Sequence, residues 1–330
     1  AVILGDTSKA NELLSTIKNV TAKDVQRVAK KYLVENRTTT LIINQNKEGS
    51  KDDEDAPITA KREEKAPPAG RKGEERPQSY PRKAPVTPLE DVDITPEYAV
   101  QTLANGLKVM VVSNHEVPFV TAMVGLPYGA WCEEKPGTAS LTLQMLTKGT
   151  MKYSEAELAK ELETRAISVS GSAGMDTSSV SMSCLTEKVD EGLAYLTEVI
   201  QNPVFDSDEF DKLKTQTITG LQVRENSPEY IAEKEIKKMI FGDHPYSRTS
   251  QGQTEDIKKI QADDLKNYWK SFAQPEEAVV IFAGDIEPKE AFTLAKKHLG
   301  RWMNPHKKPD IKLADIPEPD KKQIVLIHQR

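Results

Sequence analysis

From residue 98 onward the apolar positions fall into short alternating runs separated by longer helical stripes. The segments 98–103, 107–112 and Phe119–Leu126 alternate with a period of two and predict three strands. Asn105-Gly106, between the first two, accepts the backbone of a tight hairpin turn, so the opening is expected to be antiparallel. Helical spacing follows over 137–147 and 154–163, where Ser154 and Glu157 form a capping-box pair. Segments 167–172 and 177–185 predict a second hairpin. Gly171-Ser172-Ala173-Gly174 joins these two alternating runs and opens no helix, so it reads as a glycine turn and not a phosphate cradle.

Three longer helical stripes run over 187–201, Ser207–Arg224 and Pro228–Phe241, with Asp206 and Ser207 competing to cap the second. The polar stretch 225–233 starts the third, and Pro228 suits its first turn. A helix over 262–272, a strand over 278–283, a helix over 288–298 and a closing strand over 323–328 complete the pattern. Strands and helices mix without strict βαβ alternation. The expected class is therefore α+β, an antiparallel sheet packed against helices.

Residues 47–96 break this regularity. Lys, Glu, Asp and Pro dominate, including Pro57, Pro67 and Pro85, and so little apolar surface cannot offset the entropy of ordering. The stretch is expected to be a disordered charged linker joining two folded bodies. An ungapped offset of 240 then aligns Val20 with Ile260, Ala22 with Ala262, Asp24 with Asp264, Val25 with Leu265, Lys30 with Lys270, Tyr32 with Phe272 and Leu41 with Ile281. Each copy reads as capped helix, turn and apolar strand, so residues 1–46 resemble the tail of an earlier copy.

Composition narrows the class of function. A net charge of -6 with 29% charged residues excludes the basic footprint of a nucleic-acid binder. Apolar runs such as 109–112 fall far short of the roughly 20 residues needed to span a bilayer. No signal peptide is expected at the start, where Ala1 to Gly5 run into a polar helix, and the polypeptide reads as cut from something larger. Cys132 and Cys184, 52 positions apart, match no zinc or disulfide framework and are expected to be free structural thiols. The five histidines, His115, His244, His298, His306 and His328, show no i, i+4 pairing. His244 is expected to be a hydrogen-bonded histidine in a Pro turn and His115 a solvated loop residue. The Lys148-Gly149-Thr150 order is wrong for a P-loop.

The order of several short motifs resembles the pitrilysin/insulinase zinc metallopeptidases. They are Asn105-Gly106-Leu107-Lys108-Val109, the run 124–129 followed by Glu133, Gly137-Thr138-Ala139 leading to Met145-Leu146, and Lys148-Gly149-Thr150. Asn202-Pro203-Val204-Phe205, His244-Pro245-Tyr246, the run 280–285 and Trp302 continue the likeness over 97–330. Active members carry H-x-x-E-H on the helix after the Gly-x-Ala turn, two imidazoles i and i+4 with the glutamate as base. Laid on that frame, Ser140 and Gln144 stand at the histidine positions, Leu143 at the glutamate, and Gly220 near the third ligand. The resemblance thus implies a peptidase-like unit without catalytic residues, metal or cofactor, zinc being expected only in a partner unit.

The implied domains are 1–46, the tail of a preceding homologous unit, and 47–96, the linker. Residues 97–318 would form the first half of a second, zinc-free unit, and 319–330 the start of the following half. The implied role is to enclose and position a peptide substrate for an upstream catalytic unit in the same chain or a homologous subunit. Two alternatives stand beside it: a purely structural scaffold, as in respiratory complexes, and a separate peptide-binding subunit. A peptide added as an extra strand is expected to meet Phe119, Thr121, Met123 and Gly125, together with the helix bearing Ser140 and Gln144. No residue names the location, although family likeness points to a periplasmic or exported protein.

Overall fold

The computed structural model describes residues 15–34 and 95–318, with positions 325 and 327 beyond them. The chain divides into two compact units, Ala1–Pro88 and Leu89–Arg330. In the first, helix α1 (Ala22–Tyr32) is capped by Thr21, whose N–H is accepted by Asp24 at 3.1 Å. Almost all of the charged linker, the apolar strand after α1 and the closing strand expected over 323–328 lie outside the described residues.

Among the described residues the second unit has six strands: β1 (Ala99–Thr102), β2 (Lys108–Ser113), β3 (Phe119–Leu126), β4 (Ser168–Ala173), β5 (Ser178–Leu185) and β6 (Val279–Gly284). Their spatial order is β1-β2-β6-β3-β5-β4. All neighbours are antiparallel except β2 and β6, which run parallel. The α+β class stands, with a mixed sheet. The expected antiparallel opening forms as β1 paired with β2, while β6 inserts between β2 and β3 so that those two never pair. A strand arriving more than 150 residues later leaves no local trace in the apolar period of either.

Along each strand the period of two divides the sheet into a covered and an open face. Val109, Val280, Val124 and Val180 form one buried row, and Val111, Phe282, Ala122 and Met182 the next. Among the described residues of the second unit there are eight α-helices: α2 (Thr138–Met145), α3 (Glu155–Thr164), α4 (Val189–Gln201), α5 (Ser207–Arg224), α6 (Pro228–Phe241), α7 (Thr254–Lys259), α8 (Ala262–Phe272) and α9 (Pro288–Leu299). Of these α2 packs on β4 and β5, α4 on β5, and α9 on β2. Burying side chains such as Leu143, Leu193, Leu196 and Ile200 each contributes about 1.5–3 kcal/mol, which holds these layers together. Asp206, not Ser207, caps α5, accepting from the N–H groups of Asp208 and Glu209 at 2.9 and 3.1 Å.

Two local readings change. Gly171 and Ser172 lie inside β4, so the turn falls after Ala173 and the glycine has another role, described below. His115 is half exposed but not merely solvated: its Nδ1 lies 2.7 Å from Asp285 Oδ1, and its Nε2 lies 3.5 Å from Glu287. That hydrogen bond to the carboxylate raises the imidazole pKa. His244 is buried, and its Nδ1 accepts from the Tyr246 N–H at 3.2 Å, pinning the Pro245 turn. Both cysteines are free and buried, and burial pushes their thiols up to about 12 for Cys132 and about 11 for Cys184.

Candidate functional site

Helix α2 starts at a sharp bend. Gly137 takes a φ of 95°, and any Cβ there would strike Ile257 and the Gln251 carbonyl oxygen, so glycine is required. The first amides of α2 need acceptors, and buried Glu133 supplies both of its oxygens. Oε1 accepts from Gly137 N–H at 2.8 Å and Oε2 from Ala139 N–H at 2.7 Å. Burial pushes the Glu133 carboxyl up to about 8, against the opposing pull of those two hydrogen bonds.

Beyond that cap, Ser140 and Gln144 lie one turn apart and look toward α5. The Gln144 amide donates to both the carbonyl and the Oγ of Ser140, at 3.2 Å each. From α5 come Gln216, Gly220 and Arg224, at i, i+4 and i+8 on one helical face. A Cβ at Gly220 would meet no neighbouring side chain or loop within 4 Å. These residues and Gln251 line a cavity of about 330 Å³. Arg224 donates from its guanidinium to Gln251 Oε1 and lies 5.2 Å from the Tyr230 ring centroid. Among the described residues no ion pair holds Arg224.

The fold therefore brings Ser140, Gln144 and Gly220 to one cavity and leaves Leu143 out of it. Leu143 is fully buried in the core, with its carbonyl against β4. The donor set is a hydroxyl, an amide and a glycine that offers no side chain. It does not fit a zinc ion, which needs imidazole, thiolate or carboxylate ligands. Among the described residues no group of three or more His, Cys, Asp or Glu is placed to hold a metal. Gln216, Arg224 and Gln251 escaped the sequence reading. The i, i+4, i+8 spacing on α5 was the available signal for the first two, whereas Gln251 reaches the cavity only through the bend at Gly137.

The topology rules out strand addition along β3 itself. β3 pairs with β5 on one side and β6 on the other, so its backbone has no free edge to offer a peptide. Phe119, Thr121, Met123 and Gly125 instead project from the open sheet face, in the alternate positions to buried Val120, Ala122, Val124 and Leu126. Among the described residues the edges are β1 and β4. β4 lies next to α2: a Cβ on Gly171 would collide with the Leu143 carbonyl oxygen, so only glycine allows this approach.

Residues 108–253 match the family profile described as Insulinase (Peptidase family M16), and residues 259–330 match Peptidase M16 inactive domain. The chain belongs to the M16 peptidase family. This M16 unit is similar to the Non-peptidase homolog YmxG of Helicobacter pylori, 29% identical over 187 residues, 56% of this chain and 43% of that protein. It is also similar to the probable mitochondrial-processing peptidase subunit beta of Arabidopsis thaliana, 26% identical over 61% of this chain and 38% of the relative. Among solved structures, the peptidase M16 inactive domain from Pseudomonas fluorescens superposes with a TM-score of 0.62 at 24% identity, covering 68% of this chain and 54% of that one. The M16 unit thus spans less than half the length of these two curated relatives. Its match to the inactive-domain profile and its likeness to a non-peptidase homolog support an M16-family non-catalytic unit.

Proposed function

We propose that this unit holds and positions peptide substrate for a zinc-bearing M16 partner unit, supplied by the same polypeptide or by a homologous subunit. The observation that carries the reading is the meeting of Ser140, Gln144 and Gly220 in one cavity, lined by hydrogen-bonding side chains together with Leu213 and Leu221 and without acid or imidazole. Such a lining activates no water, because general-base assistance needs a proton acceptor within reach. It does offer amide, hydroxyl and guanidinium donors to peptide carbonyls. The edge of β4, which pairs with no further strand among the described residues and is backed by α2 through Gly171, would supply main-chain partners for an extended peptide. Such binding would give affinity with little sequence preference, and correct placement of the scissile bond lowers the entropic part of the barrier for the partner.

Fluorescence anisotropy with an unstructured peptide of about twenty residues tests the reading, strands of that kind being recognised through their backbone. A second probe of the same sequence carries N-methyl groups on alternate amides. The proposal expects the methylated peptide to bind at least tenfold more weakly, an order of magnitude set by losing several net hydrogen bonds of about 1 kcal/mol each. Equal affinities, or no binding by either probe, would remove strand addition from the account. A scaffold role is the second reading. It is favoured by similarity to human cytochrome b-c1 complex subunit 1, 23% identical over 66% of this chain and 46% of that protein.

A further inference from the structure

A second cavity, of about 480 Å³, shares no lining residue with the one that holds Ser140 and Gln144. Its walls come from Lys152 and Tyr153 before α3, Arg165 at the end of α3, Tyr195, Thr197 and Glu198 of α4, and the last turn of α9. Four buried side-chain oxygens lack a hydrogen-bond partner among the described residues, and two of them, Thr197 Oγ1 and Glu198 Oε1, belong to this lining. Neighbours on one helix, they are acceptors whose desolvation nothing in the chain offsets. The other carboxylate oxygen of Glu198 is taken: Oε2 accepts from Asn202 Nδ2 at 2.8 Å, which fixes the side chain and leaves Oε1 over.

The remaining wall favours positive charge. The Tyr153 and Tyr195 rings lie 5.9 Å apart at 45°, and each already carries a cation of the chain itself. Lys152 Nζ is 4.9 Å from the Tyr153 centroid and Arg165 Cζ 6.0 Å from that of Tyr195, the arrangement in which a ring face attracts a cation. Neither reaches Glu198 to form an ion pair. Arg165 is spent on Glu161 at 2.8 Å and Glu191 at 3.2 Å, and His298 in α9 is turned to Asp190, with Nε2 2.6 Å from Oδ1. A single water needs only about 10–15 Å³ of cavity, so there is room here for a chain of several atoms.

We propose that this cavity binds a primary alkylammonium group, held by Glu198 Oε1 and Thr197 Oγ1, with its alkyl chain along the Tyr153 and Tyr195 rings. The unpaired atoms are acceptors, so an anion finds no donor there and meets the Glu198 and Glu191 carboxylates instead. A guanidinium fork takes both oxygens of one carboxylate, and Asn202 already holds one of them. A hard metal ion takes six or more oxygens, and one carboxylate oxygen beside one hydroxyl falls far short. An ammonium group, a compact charge with three donors, matches what is left over. The same chemistry is offered by a free aliphatic diamine and by a lysine side chain of a polypeptide. This site stands apart from the proposed peptide positioning and does not depend on it.

Calorimetric titration of the 330-residue chain with diaminopentane, Nα-acetyl-lysine amide and Nα-acetyl-norleucine amide tests the assignment. At least one of the two amines is expected to bind with a Kd of about 1 mM or tighter, ordinary for ligands of so few atoms. The tighter of the two identifies the source as free diamine or lysine side chain. Norleucine amide has the alkyl chain without the charge and is expected to bind at least about tenfold more weakly than the lysine amide, having lost the charge-assisted hydrogen bonds. Saturable binding of neither amine, or equal binding of the norleucine and lysine amides, would overturn the proposal, and this comparison needs no substitution. Glu198→Gln is the second arm, expected to weaken the bound amine at least about tenfold while the melting curve shows a folded chain. Unchanged affinity in that variant would place the amine elsewhere and equally overturn it.

Discussion

Gly171 of β4 and Leu143 of α2 meet backbone to backbone, so closely that a Cβ on residue 171 would collide with the Leu143 carbonyl oxygen. The edge strand is held against the cavity-bearing helix by the absence of a side chain. Gly171→Val should therefore destabilise the unit by about 1–3 kcal/mol, the usual cost of overpacking. Urea denaturation checks this through the transition midpoint. An unchanged midpoint would mean that β4 and α2 can separate freely.

Much of the fold was legible along the chain. The helices Ser207–Arg224 and Pro228–Phe241 were readable to the residue because caps and a first-turn proline bound them. What could not be read was long-range: nothing in Val279–Gly284 announces that it will pair parallel with β2 and separate it from β3. For the same reason Phe119 to Gly125 looked like edge candidates, since burial on alternate faces does not distinguish a central strand from an edge. In the site, Ser140, Gln144 and Gly220 were found through family likeness and Arg224 shares their helical face at i+4 from Gly220, whereas Gln251 packs beside the bend at Gly137 and needed the three-dimensional structure.

Glu133 links stability to pH. Its folded pKa of about 8 lies above the ordinary 4.5, so between those values the folded chain holds a proton that the unfolded chain has released. The stability it contributes is full below pH 4.5 and is lost as pH rises through 8. Glu133→Gln should flatten that decline, at a cost of about 1–3 kcal/mol because its amide cannot accept from both backbone N–H groups. Denaturation midpoints across the range decide it, and identical pH slopes in the two proteins would contradict the prediction.

Arg224 is exposed, and no ion pair holds it among the described residues. Arg224→Gln should leave thermal stability within about 0.5 kcal/mol, as for surface changes generally. It should weaken binding of the twenty-residue probe about tenfold or more, the loss expected for hydrogen bonds to a charged donor. Calorimetric titration beside a melting curve separates the two effects. Unchanged affinity would remove Arg224 from the peptide contacts.

Ser140, Gln144 and Gly220 should hold no stoichiometric zinc, since none offers imidazole, thiolate or carboxylate. Metal analysis after equilibration with zinc and removal of the excess checks this. One equivalent that disappears in Gln144→Ala would show that the cavity binds metal by another route.

The most direct test of the proposed substrate positioning compares an M16 zinc-bearing unit that carries or binds residues 97–330 with the same unit lacking them. Specific activity toward an unstructured peptide of about twenty residues is the readout, because positioning can supply several kcal/mol of a barrier. The account predicts a fall of at least about a hundredfold without this unit. Equal specific activity with and without it would contradict the account and leave the scaffold reading in its place.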